Sequence, residues 1–177
     1  EFNALGGLMK KKAYLETISS SLPELSKDTI DALREADIII YGPGTQYSSL
    51  YPTYWTKGLS QEISSSSALK FFITNIDHDN ETPEFTAADQ IRQAKFYLNQ
   101  KGKCNISENE LFDIVISNAP ENQDLRYIRL NMAELNQLNV KDILAQNFES
   151  QTKGKHDDKK LASLIMGAYN SKWRSDS

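Results

Sequence analysis

The 177-residue chain is 39% apolar and 25% charged, with a net charge of −4 and a pI near 5.3. That composition excludes general disorder and suits one domain or a large part of one. The acidic balance argues against a protein that holds nucleic acid by neutralising phosphates, yet leaves room for a small anion held by backbone N–H groups. A single cysteine, Cys104, excludes an intrachain disulfide and a cysteine metal cluster. No apolar run approaches the ~20 residues that span a bilayer, and the first residues lack a signal-peptide pattern. A cytoplasmic protein with no nucleic-acid or membrane partner is expected.

In chain order, residues 12–18 are expected as a short strand and 19–25 as a loop interrupted by Pro23. Ser26 reads as an N-cap, with Asp28 in the first turn and Ile30, Leu33 and Ala36 near helical spacing. The β-branched run at 37–41 reads as a buried strand, stopped by Gly42-Pro43-Gly44. A polar stretch follows, then an aromatic segment with Tyr51, Tyr54 and Trp55, and a helix at 57–64. Residues 69–74 form the second clear strand and 77–85 a polar loop. Thr86 then caps a helix to about Asn99, with Ile91, Ala94, Tyr97 and Leu98 at core spacing. After a linker at 101–109, residues 112–117 form a third strand. Minor strands are expected at 126–130 and 140–146, around a short helix at 132–138. An amphipathic helix at 156–173 closes the chain, with Leu161, Leu164, Ile165, Ala168 and Tyr169 on one side. Strands alternating with helices imply a three-layer α/β sandwich around a mainly parallel sheet. In such sheets ligands bind outside the carboxyl ends of the strands.

Three groups of residues could carry chemistry. In the 42–49 turn, Gly42 and Gly44 let backbone turn sharply and let a ligand approach. Thr45, Ser48 and Ser49 add hydroxyls, free N–H groups could cradle a phosphate, and Tyr47 could stack on a base or cover a sugar. The plain alternative is a tight strand-to-helix turn with solvated hydroxyls. In the second group, Asn75, Asp77, His78, Asp79, Glu81, Thr82, Thr86 and Asp89 could hold Mg²⁺ beside a phosphate or bind sugar hydroxyls; on pattern alone, a solvated acidic loop before a capped helix is the better explanation. In the third, Asp157 and Asp158 suit a helix N-terminus, and His156 could point at a ligand.

Taken together, the segments at 32–49, 74–89, 112–118 and 156–162 resemble the YvcK-like branch of the CofD-like (2-phospho-L-lactate transferase) superfamily. Ala36-Asp37-Ile38-Ile39-Ile40-Tyr41-Gly42-Pro43-Gly44 looks like its "ADLIV-x-GPG" segment. Glu81-Thr82 and Phe85-Thr86-Ala87-Ala88-Asp89 are similar to its "GET" and "(Y/F)TA-x-D" motifs, and His156-Asp157 to its "HD-x-x-KLA" ending. The similarity runs over about residues 27–165.

The resemblance implies a Rossmann-like fold with a nucleotide or nucleotide-sugar site. One branch of the superfamily transfers phospholactate onto a deazaflavin acceptor with a guanylated donor and Mg²⁺. The YvcK-like branch binds UDP-sugars and affects carbon flux and cell-wall growth, and the 75–89 loop matches it better. Carried over by position, Gly42, Gly44, Thr45, Tyr47 and Ser48 would contact phosphate or sugar. Asn75, Glu81, Thr82 and Asp89 would shape the facing wall, and His156 would lie near the same rim. The family's amino-terminal glycine-rich turn has no counterpart, since Gly6-Gly7 lacks the flanking strand and helix. The chain is therefore expected to be a carboxy-terminal part of the family's domain. A non-catalytic scaffold that forms a homodimer through the face left uncovered is the further alternative. Gln90 stands where the family has histidine, and Asn80 in place of the glycine of "GET".

Overall fold

The computed structural model describes residues 22–122 and 124–175, with side chains as far as residue 171. The strand expected at 12–18 lies outside the described residues. Helix α1 (Lys27–Glu35) starts where Ser26 caps it, the Ser26 Oγ accepting from the Thr29 N–H at 3.2 Å. It leads into β1 (Ile38–Tyr41), a one-turn π-helix (Gln46–Leu50), α2 (Tyr51–Tyr54) and α3 (Leu59–Ser65). Then come β2 (Leu69–Ile73), α4 (Ala87–Leu98), α5 (Glu108–Leu111), β3 (Ile114–Asn118), α6 (Met132–Leu135), β4 (Asp142–Gln146) and α7 (Asp158–Ser175).

The strands form one parallel sheet in the order β1-β2-β3-β4, with Ile40 opposite Phe71, Phe72 opposite Val115, and Val115 opposite Ile143. β2 and β3 are buried throughout, as predominantly apolar strands at the centre of a parallel sheet should be. Side chains alternate across the sheet. Tyr41, Phe72 and Val115 join the apolar faces of α3 and α4 on one side. Phe71, Ile73, Ile114 and Ile116 meet Leu161, Leu164 and Ile165 of α7 on the other. Helices on both faces make three layers, as expected. Ile38 of β1 packs against the cluster on the α7 side, whereas Ile40 is left 50% exposed. Among the described residues no helix is long and apolar enough to cross a membrane.

Two expectations change. The 126–130 segment is no strand: it makes only isolated bridges, Tyr127 to Asp77 and Arg129 to Thr86. The segment at 140–146, read as minor, is a full sheet member, with five residues in register with β3. Exposed Asp142 and Gln146 at its ends weaken the apolar signal that an edge strand gives.

At the amino end of the sheet, the buried Asp113 carboxylate accepts the Lys70 backbone N–H at 2.8 Å and pairs with Lys141. The buried Lys70 ammonium donates to the carbonyls of Ser66 and Ala68 at 2.8 and 3.1 Å, and lies 3.9 Å from Asp113. Removing one partner of a buried pair strands the other's charge. Asp113→Ala is expected to lower the unfolding free energy by about 3 kcal/mol in urea denaturation; a change under about 1 kcal/mol would show that the carbonyls alone satisfy Lys70.

Candidate functional site

The exits of β1 and β2 meet side by side. Gly42-Pro43-Gly44 carries the chain off β1 into the π-helical turn, in which the Leu50 N–H reaches the Thr45 carbonyl at 3.1 Å. Such single turns recur at functional sites. The turn cannot satisfy its own leading donors, and the segment after β2 supplies the acceptors. Asn75 clamps Gly44 at both ends, its Oδ1 accepting from the Gly44 N–H at 3.0 Å and its Nδ2 donating to the Gly44 carbonyl at 3.1 Å. Asp79 Oδ2 accepts from the Gln46 N–H at 2.8 Å, and Glu81 Oε2 from the Ser48 N–H at 2.9 Å. The other Asp79 oxygen accepts from the Glu81 N–H at 3.0 Å, which fixes its own loop. Gln90 holds Asn75 in turn, its Oε1 accepting the Asn75 N–H at 3.1 Å.

The structure thus brings Gly42, Gly44, Thr45, Ser48, Asn75 and Glu81 to one rim. The Thr45 and Ser49 hydroxyls lie 2.7 Å apart, with the Ser48 hydroxyl 3.2 Å from Thr45. Thr82 sits beneath, its hydroxyl buried without a partner. Tyr47 corrects the expectation of a stacking platform. It is 5% exposed and packs edge-on against Tyr51 and Tyr97, because the π-helical turn points it into the core. Free N–H groups were expected in this turn, but those of Gly44, Gln46 and Ser48 are taken by protein acceptors. Asp89 caps α4 in a reciprocal capping box with Thr86 and pairs with Arg92 at 3.0 Å. Partial burial opposes it, but the hydrogen bonds from Thr86 and Arg92 keep its carboxyl below the usual range.

His156 reaches the rim from the α7 side of the sheet. Its ring stacks on Phe148, with centroids 5.5 Å apart, and bonds to the backbone of Thr74, next to Asn75. Its Nε2 is buried and unpaired. Burial, then the Lys155 charge, pushes its pKa below the ordinary value despite the Thr74 bond.

Further along the same edge, the Glu149 carboxylate accepts from the Tyr127 hydroxyl at 2.7 Å and the Arg126 guanidinium at 3.1 Å. It also accepts from the Gly154 N–H. Gly154 has φ +75°, a conformation that favours glycine, and an added Cβ would push the Asp77 carboxylate aside. Sequence reasoning named Asp79 among the loop's carboxylates, as a cation or sugar ligand, and Gln90 as a departure from the family; it missed Arg126, Glu149 and Gly154, long-range partners with no local signature.

Two measurements follow. Asp79→Ala leaves the Gln46 and Glu81 N–H groups without their acceptor, and an expected loss of about 1.5–3 kcal/mol in denaturant unfolding should follow; an unchanged midpoint would mean that water replaces the carboxylate freely. For His156, a folded pKa below the unfolded one means stability is full above about pH 6.5 and declines as pH falls through 6.5 towards the folded value. His156→Gln should flatten the stability change between about pH 7.5 and 5.5; identical profiles would show that His156 does not drive it.

Residues 7–158 match the family model described as 2-phospho-L-lactate transferase CofD. The gluconeogenesis factor of Bacillus subtilis is 32% identical over 146 residues, covering 78% of this chain and 45% of its own length. The gluconeogenesis factor of Listeria innocua is 31% identical over 149 residues, covering 81% of this chain and 44% of its own. A crystal structure of a UPF0052-family protein from Bacillus halodurans is similar in fold, with a TM-score of 0.71 at 20% identity over 88% of this chain and 53% of that one. The chain spans less than half the length of both curated relatives.

Proposed function

The chain belongs to the CofD family, and from that premise we propose that it is the sugar-nucleotide-binding part of a gluconeogenesis-factor-type protein that regulates carbon or cell-wall metabolism. The observation that carries this reading is the space around two glycines. Neither Gly42 nor Gly44 has a positive φ. A Cβ on Gly42 would meet nothing within 4 Å, and one on Gly44 would touch Leu50 at an ordinary 3.6 Å. Neither fold nor packing therefore requires glycine here, in contrast to Gly154. What a bare backbone does supply is close approach from outside, beside the hydroxyls of Thr45, Ser48 and Ser49.

The same geometry limits what the ligand can touch. With the Gly44, Gln46 and Ser48 N–H groups engaged by Asn75, Asp79 and Glu81, a bound UDP-sugar meets the hydroxyl cluster and the open face of the glycines. Sugar hydroxyls suit such a surface, since they both donate and accept.

The family's description favours a second reading, a Mg²⁺-dependent 2-phospho-L-lactate-type transferase. Its cation would need oxygen ligands. Both Asp79 oxygens and one Glu81 oxygen already accept backbone N–H groups. Among the described residues, no three His, Cys, Asp or Glu side chains gather as a metal centre. These donors do not fit Mg²⁺ as arranged, which favours the binding reading.

Gly42→Ala separates a ligand role from a folding role. The variant should be as stable as the parent, or more stable by up to about 1 kcal/mol, while its affinity for UDP-glucose and UDP-N-acetylglucosamine in isothermal titration falls at least tenfold. Equal affinity in parent and variant would place the ligand elsewhere; no heat from the parent with either compound would reject the reading.

A further inference from the structure

Beyond the carboxyl ends of β2 and β3 lies a cavity of about 400 Å³, lined by His78, Glu84 and Phe85 and by Ala119, Pro120 and residues 127–130. That volume is at the small end of the range for metabolite sites. Phe85, Ile128 and Leu130 give the cavity an apolar lining, and Arg129, Glu84 and His78 give it polar groups.

Those polar groups are unemployed. The side chains of Arg129 and Glu84 are exposed, and neither makes a hydrogen bond or ion pair with any described residue. The Nδ1 of His78 is buried and has no partner. Asp124 also lines the cavity, its carboxylate 3.8 Å from an Arg126 guanidinium that Asp77 and Glu149 share. One cation without an ionic partner among the described residues, Arg129, thus borders a part-apolar hollow together with the carboxylates of Glu84 and Asp124. A simple anion would be attracted by Arg129 and repelled by Glu84, and a simple cation the reverse. A molecule with both charges on one end and an apolar body satisfies the whole lining.

We propose that this cavity binds a hydrophobic α-amino acid. The Arg129 guanidinium takes the carboxylate as a two-pronged donor. Glu84 accepts from the ammonium. Phe85, Ile128 and Leu130 cover the side chain. Because His78 and Glu84 belong to the loop that carries Asp79 and Glu81, occupancy here bears directly on the segment that holds the 42–49 turn. The site does not depend on the sugar-nucleotide reading.

The test is isothermal titration of the intact protein with L-leucine and L-phenylalanine. Phenylacetate, which lacks the ammonium, and phenethylamine, which lacks the carboxylate, serve as controls. Saturable binding of an amino acid is expected, weakened at least tenfold by Arg129→Gln, by Glu84→Gln and by loss of either charge from the ligand. Both substitutions are at exposed positions, and thermal melts matching the parent's verify that the variants fold. No saturable heat with either amino acid would overturn the proposal, as would binding that survives both substitutions or that a single-charge analogue matches.

Discussion

Three backbone N–H groups after β1 find their acceptors on side chains after β2, and the geometry of the whole carboxyl edge depends on that exchange. A strand that ends in Gly42-Pro43-Gly44 and enters a π-helical turn leaves donors that neither strand nor turn can satisfy. Asn75, Asp79 and Glu81 satisfy those of Gly44, Gln46 and Ser48. Each bond to a carboxylate is charge-assisted, and stronger than a neutral one. Parallel pairing of β1 with β2 sets the two exits next to each other, so sheet topology makes the exchange possible. Gln90 extends it to α4 through the Asn75 N–H.

This arrangement changes the chemistry expected of the turn. A row of free amides would be an anion site; here two protein carboxylates already occupy that role. What remains accessible is hydroxyl-rich and backed by two glycines that the fold does not require. The aromatic packing beneath, with Tyr47 against Tyr51 and Tyr97 and Tyr51 stacked on Tyr97 at 4.4 Å, sets the turn on a buried base.

Much of the scaffold was legible in the sequence because its signals are local. Predominantly apolar runs marked β1, β2 and β3. Ser26 and Thr86 marked helix starts by their own side chains, and the glycine-proline-glycine break marked the turn. The site's internal wiring was not legible. Whether Asp79 is solvated or buried depends on where the Gln46 N–H comes to rest, a contact spanning 33 residues. Tyr47 looked available because it sits among serines, but the π-helical turn shifts its direction by an amount that no periodicity encodes. The 126–130 run has strand-like composition, yet its Arg126 and Tyr127 side chains are drawn to Glu149, and it crosses the sheet's edge instead of joining it. At the opposite end of the sheet, Lys70 broke an apolar run without betraying that the Ser66 and Ala68 carbonyls enclose its ammonium.

The most direct measurement is amide hydrogen exchange resolved at Gly44, Gln46 and Ser48 in the ligand-free protein. The expected result is slow exchange at all three, with protection at Gln46 lost in Asp79→Ala and at Ser48 lost in Glu81→Ala. Exchange at the rates of an unstructured loop, at all three amides in the unsubstituted protein, would contradict the account and return these donors to an incoming anion.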